Sequence, residues 1–176
     1  MKPVTLLLLF WLTVFHATGQ DAIKPRPSPL AITTLRYKDA YLKITYGQPH
    51  KNGREIFGKL VPYDVVWRTG ANEATELTCT KDILINNVLL KAGTYSLFSI
   101  PGKERWTIIL NRDLGLWGAY NYNAKVDVFR FNVPVNSISE PVYEAFTIKG
   151  EQKNELAELL LLWDKTKVVI PIKFTN

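Results

Sequence analysis

The sequence predicts an all-β fold, a single antiparallel β-sandwich or barrel-like domain. Three observations predict it. Apolar residues recur with a period of two in one segment after another. Short turn signals separate these segments. No helical stretch alternates with them, so βαβ units and a parallel sheet are not expected. The composition agrees with a packed core. Of 176 residues, 47% are hydrophobic, 12% aromatic and 22% charged, which excludes a disordered chain, a collagen and a coiled coil.

The first element is an address. Lys2 is followed by the apolar run Leu6 to Phe15 and then by Ala17 and Gly19, small residues at the −3 and −1 positions. The run is too short to span a bilayer, which takes roughly 20 residues. Residues 1–19 therefore read as a signal peptide cleaved between Gly19 and Gln20. The expected location is the periplasm or the cell exterior, with no membrane span in the mature protein. Residues 20–30 carry three prolines and read as an extended leader outside the core.

Strands follow. Leu42, Ile44 and Tyr46 alternate with Tyr41, Lys43 and Thr45. Asn86-Asn87 separates Asp82–Ile85 from Val88–Leu90 as a hairpin turn, because Asn tolerates positive φ. Pro101 to Glu104 links a strand ending at Ile100 to Trp106–Leu110. Phe129, Phe131, Val133 and Val135 share one strand face. Asn154–Trp163 fits two periods. We expect a strand from Leu159 with a helical turn before it, then the turn Asp164-Lys165 and a strand carrying Val168, Ile170 and Ile172.

Tyr46 to Thr75 breaks the pattern, with four glycines, two prolines and several large aromatics. Long non-repetitive loops in compact domains are often functional. Its string Val66-Trp67-Arg68-Thr69-Gly70-Ala71-Asn72-Glu73 sets a guanidinium, an amide and a carboxylate beside an aromatic face. That string, with Ala92 to Phe98, Ile100-Pro101, Trp117-Gly118 and Trp163 through Ile172, closely resembles the DUF2911 proteins, exported bacterial proteins. The resemblance covers nearly all of residues 31–176. It implies one β-rich domain and export, and it carries no catalytic residue with it.

The candidate polar cluster is Arg68, Asn72, Glu73, Asp64 and Arg54. Arg68, Asn72 and Glu73 are expected to connect above Trp67, with Glu73 paired to Arg68 or Arg54, because the guanidinium fork matches a carboxylate. Candidate aromatic contacts are Trp67, Trp117 and Tyr120. Trp117 reads first as core packing and second as a surface for stacking on a sugar or a partner. Trp106 and Trp163 read as core.

Several chemistries are poorly supplied. There is one Cys, so no disulfide framework and no Cys-rich zinc site. Cys79 shares a strand face with Thr75 and Leu77 and is expected to be buried, not paired with His50 as a nucleophile. No Gly-x-Ser-x-Gly elbow, Ser-x-x-Lys motif or EF-hand spacing occurs, and no cofactor is expected. The net charge of +6 is dispersed, without the concentrated basic stripe that nucleic acid requires. The leading expectation is a non-catalytic binding domain for a small polar ligand, a glycan or an envelope partner. The alternatives are a hydrolase using Glu73 and Asp64 with Arg68, and a structural envelope protein.

Overall fold

Period-two alternation becomes strand throughout. The computed structural model describes residues 24–175. The expected signal peptide, its cleavage site and the start of the leader lie outside them. The strands are β1 (Leu30–Tyr37), β2 (Ala40–Gly47), β3 (Ala71–Cys79), β4 (Ile83–Ile85), β5 (Val88–Leu90) and β6 (Gly93–Ile100). They continue as β7 (Arg105–Asn111), β8 (Asp127–Ser137), β9 (Tyr143–Lys153), β10 (Leu156–Asp164) and β11 (Thr166–Phe174). A single 3₁₀ turn, Ala124–Val126, is the one helical piece among the described residues.

All strand pairs are antiparallel, along the path β1-β2-β3-β6-β7-β8-β11-β10-β9. The β4–β5 hairpin hangs on the end of β11. Its turn residues Asn86 and Asn87 have φ of 47° and 63°, as the Asn-Asn pair predicts. The path bends round until β1 faces β9, which makes the sheet a nearly closed barrel. At this seam side chains replace the ladder. The Tyr46 hydroxyl accepts from Ile148 N at 3.0 Å, Gln152 Nε2 donates to Arg36 O at 2.9 Å, and Thr33 Oγ1 donates to Ile148 O. Gly150 lets the seam close, since a Cβ there would stand 2.7 Å from Leu35 Cδ2.

The inward faces fill the barrel. Leu42, Ile44, Leu77, Cys79, Ile108, Leu110, Leu159, Leu161, Val168 and Ile170 are all buried in one cluster. At its centre Trp67, Trp106, Trp163, Phe57 and Phe146 pack mostly edge to face, with centroids 5.0–6.2 Å apart. The segment between β2 and β3 supplies two of these rings, and it also buries Ile56 and Val61. The long loop thus carries its own apolar anchors and plugs the barrel.

A second, smaller core lies on the outer face. Phe98, Ile109 and Ala74 are covered by Leu116, Ala119 and Tyr122 from the segment between β7 and β8. Asn111 holds that segment by donating to Asn123 O at 2.9 Å and Asp127 Oδ1 at 2.7 Å. Tyr122 donates to Asp127 Oδ2 at 2.7 Å and accepts from Arg130 Nη2 at 2.6 Å. Burial and the Asp127 carboxylate push the Tyr122 phenol up to about 12.

Two local expectations change. The strand after Asn154 begins at Leu156, with no helical turn. Leu156 is 54% exposed; Ala157, Leu159, Leu161 and Trp163 enter the main core, while Leu160 and Leu162, also buried, stand outside that cluster, and the ladder with β9 holds the strand. Asn72 and Glu73 are not loop residues. They stand at the start of β3, where Ala71 pairs with Gly47.

Candidate functional site

The site grows from Trp67. Its backbone N donates to Ser99 O at 2.7 Å and its carbonyl accepts from Ser99 N at 2.9 Å, a one-residue bridge to β6. Its indole N–H donates to Gly70 O at 3.0 Å. With the ring locked inside the barrel, Arg68 is directed out of it. Thr69 follows in the left-handed region at φ 53°, a conformation that β-branched residues rarely adopt. It is fully buried and over-determined by hydrogen bonds. Its hydroxyl donates to Ser99 Oγ at 2.9 Å, and its carbonyl accepts from Thr75 Oγ1 at 2.7 Å. Gly70 then passes so close to β2 that a Cβ would stand 2.9 Å from Gly47 O. Its missing side chain permits that close approach at the bend.

These residues open onto a cleft of about 350 Å³ between the loop and the leader. Trp67 and Trp163 form its floor, stacked at 6.0 Å and 17°. Its polar walls are Arg68, Arg54, Asn72 and Ser28. Arg68 is partly buried, and its Nε is buried without a hydrogen-bond partner among the described residues. Its Nη1 end points to the segment between β7 and β8, where a Cβ on Gly118 would lie 3.4 Å from it and 2.8 Å from the Tyr120 ring. Arg54 is held at the rim, donating from Nε to Lys51 O at 2.9 Å and from Nη2 to His50 O at 2.5 Å.

Of the expected polar cluster, Arg68, Arg54 and Asn72 meet here above Trp67. Glu73 and Asp64 do not. At the start of β3 Asn72 is left-handed at φ 63° and the register with β2 shifts, and Glu73 comes to lie in a different cleft beside Leu30, Tyr46 and Glu76. There it pairs with Arg26 of the leader at 2.8 Å, not with Arg68 or Arg54. The Arg26 guanidinium holds the Glu73 carboxyl below its usual range. Asp64 lines a third cleft with Tyr63 and Lys103, and its backbone N donates to Pro101 O at 2.9 Å. Among the described residues no group of three or more His, Cys, Asp and Glu is placed to hold a metal ion.

Trp117 does not pack in the core. It is 57% exposed, and Tyr120 is 82% exposed. The reason is the pairing of their segment with β3: Ala74 N donates to Leu116 O at 2.8 Å and Gly118 N to Asn72 O at 2.9 Å. Leu116 turns inward, so Trp117 turns outward. Trp106 and Trp163 are buried as expected. Cys79 is buried too, its Sγ donating to Lys91 O at 3.3 Å, and burial pushes the thiol up.

Sequence reasoning missed the leader. Arg26 and Ser28 touch the site region, the latter accepting from Asn72 Nδ2 at 3.2 Å, and Pro29 O accepts from Gln48 N at 2.8 Å. The three prolines signal an extended strap. Nothing in their spacing says which strand it crosses.

The fold and cleft define a class: a nearly closed antiparallel β-barrel whose mouth is plugged by a long loop beside a small arginine-lined cleft. The chain matches the family described as protein of unknown function (DUF2911) over residues 28–172, and it belongs to that family. No curated protein and no solved structure matches it. Among the described residues no helix is long and apolar enough to cross a membrane.

Proposed function

We propose that this protein is a non-catalytic binding domain that takes a small polar ligand in the cleft beside Arg68. One observation carries the reading. The cleft concentrates two guanidiniums, an amide and a hydroxyl over an aromatic floor, and among the described residues its lining contains no carboxylate, imidazole, thiol or amine. Such a lining offers hydrogen bonds to a ligand and no general base or activated nucleophile. A volume of about 350 Å³ suits a monosaccharide-sized molecule. Trp117 and Tyr120, exposed on the segment that flanks Arg68, extend the surface with faces suited to a sugar ring or an envelope partner. The hydrolase alternative loses support because Asp64 and Glu73 line different clefts and Glu73 is paired with Arg26.

The N-terminal Lys2, the apolar run and the Ala17-x-Gly19 sequence support export to the periplasm or beyond. A thermal-shift screen of the purified protein against monosaccharides and small polar metabolites tests the binding reading, because a ligand that prefers the native state raises Tm. Stabilisation that disappears in Arg68→Gln is the expected result. Stabilisation unchanged in Arg68→Gln and Asn72→Ala moves binding elsewhere. An intact N-terminus at Met1 in the protein recovered outside the cytoplasm, read by mass spectrometry, removes the cleaved signal peptide.

A further inference from the structure

We propose that the ligand of this cleft carries an oxyanion, a carboxylate or a phosphate monoester, bound by Arg68 and Arg54. The inference rests on the binding reading above and specifies its chemistry. Arg26 is paired with Glu73 and Arg130 with Asp127, but no carboxylate among the described residues pairs with Arg68 or Arg54. Both cations line one cleft whose described lining residues include no acidic side chain, so its positive charge is uncompensated among them. For Arg68 this is costly. Its Nε–H is buried without a partner, and a buried charged donor left unpaired is more expensive than a neutral one. A countercharge supplied by a ligand offsets that cost, and it does so beside an apolar floor of two stacked indoles, where Coulomb attraction is screened less than in water.

The geometry favours an oxyanion over a lone acceptor. A guanidinium presents its donors as a planar fork that matches two oxygens of one carboxylate or phosphate. Arg54 is already fixed by two backbone carbonyls, so it gives up little freedom when an anion arrives. Those carbonyls occupy two of its donors without neutralising it. Ser28 and Asn72 stand on the leader side of the cleft to receive the neutral part of the molecule.

Calorimetric titration of the purified protein tests this with probes that share a scaffold and differ in charge: glucose, glucuronate and glucose 6-phosphate, then succinamide, succinate and inorganic phosphate. The expected result is an acid bound roughly ten- to a hundredfold more tightly than its neutral counterpart. That preference shrinks as salt is raised, and it is lost in Arg68→Gln but kept in Arg36→Gln on the far strand β1. Whether glucuronate and succinate or the phosphates bind identifies the source of the oxyanion. Arg68→Lys retains the charge and loses the fork, so it too weakens binding. The comparison of acid with neutral probe in the unaltered protein needs no variant and stands even if Arg68→Gln fails to fold. Neutral probes that bind as tightly as the acids, with loss in Arg68→Gln, overturn the oxyanion while leaving the binding cleft. No acid binding below about 10 mM overturns the proposal, and a neutral screen equally silent overturns the binding reading with it.

Discussion

At the scale of single residues, exposure decides what each charged or reactive group contributes. Glu73 and Arg26 form a close pair, yet their side chains are 44% and 59% exposed. A fully buried pair would lose about 3–5 kcal/mol on removal of one partner. This one is screened by water, and Glu73→Gln should cost less than about 1 kcal/mol at neutral pH. The sign follows from the lowered carboxyl. The stabilisation is present above the ordinary carboxylate value of 4.5 and is lost as pH falls through the lower folded value. Thermal melts of the parent and Glu73→Gln should therefore differ slightly at pH 7 and converge once the pH has fallen below the lowered folded value. A large loss at pH 7 would show the leader to be a main support of the fold. Cys79 is the opposite case. Buried, bonded to Lys91 O and pushed up by desolvation, its thiol should resist a thiol reagent at pH 8 in the native protein and react after denaturation. Rapid labelling of the native protein would contradict that burial.

At the scale of elements, the junction of β2, the loop and β3 is built on close backbone approach. A Cβ on Gly47 would stand 2.1 Å from Ala71 O, so Gly47→Ala has to push β3 away from β2. We expect a loss of about 1–3 kcal/mol in denaturant melts. The loop itself is fastened by Trp67, which fills the barrel and bridges to Ser99. Trp67→Ala should cost about 3–5 kcal/mol and release the cleft walls together with the floor. A near-neutral result for either change would mean that the loop is not held as described. These features were partly legible in advance. The string around Trp67 stands out for its composition, and its Arg68 and Asn72 line one cleft with Arg54 from earlier in the loop. Glu73 does not join them, because a left-handed Asn72 and a register shift between β2 and β3 set it in another cleft beside Arg26. Nothing in the composition of Asn72 and Glu73 marks the bulge that separates them.

At the scale of the molecule, the barrel closes without a complete ladder. The β1–β9 seam depends on side chains, with the buried Tyr46 hydroxyl accepting from Ile148 N across it. Tyr46→Phe keeps the ring and leaves that amide unpaired, a cost of about 1–3 kcal/mol. Hydrogen exchange should then quicken at Ile148 and its seam neighbours before it changes in β6 and β7, whose shared ladder runs without a register shift. Uniform quickening across all strands would show that the seam opens only with global unfolding.

The sequence by itself determined the strands, because alternation and turn chemistry are local. Asn86-Asn87, Pro101 to Glu104 and Asp164-Lys165 each place a turn where one is found, and Leu42, Ile44 and Tyr46 point inward as their spacing requires. It also determined the membership of the family and the burial of Trp106, Trp163 and Cys79. Tertiary structure alone decided the partners. The seam between β1 and β9 and the attachment of β4 to β11 join residues 87 to 116 positions apart, the pairing of Glu73 with Arg26 joins residues 47 apart, and the outward turn of Trp117 rests on a bridge to Glu73. No local rule reaches across such distances. Which carboxylate meets which guanidinium follows from how the sheet curls, and that curl left Arg68 facing a cleft with no countercharge among the described residues.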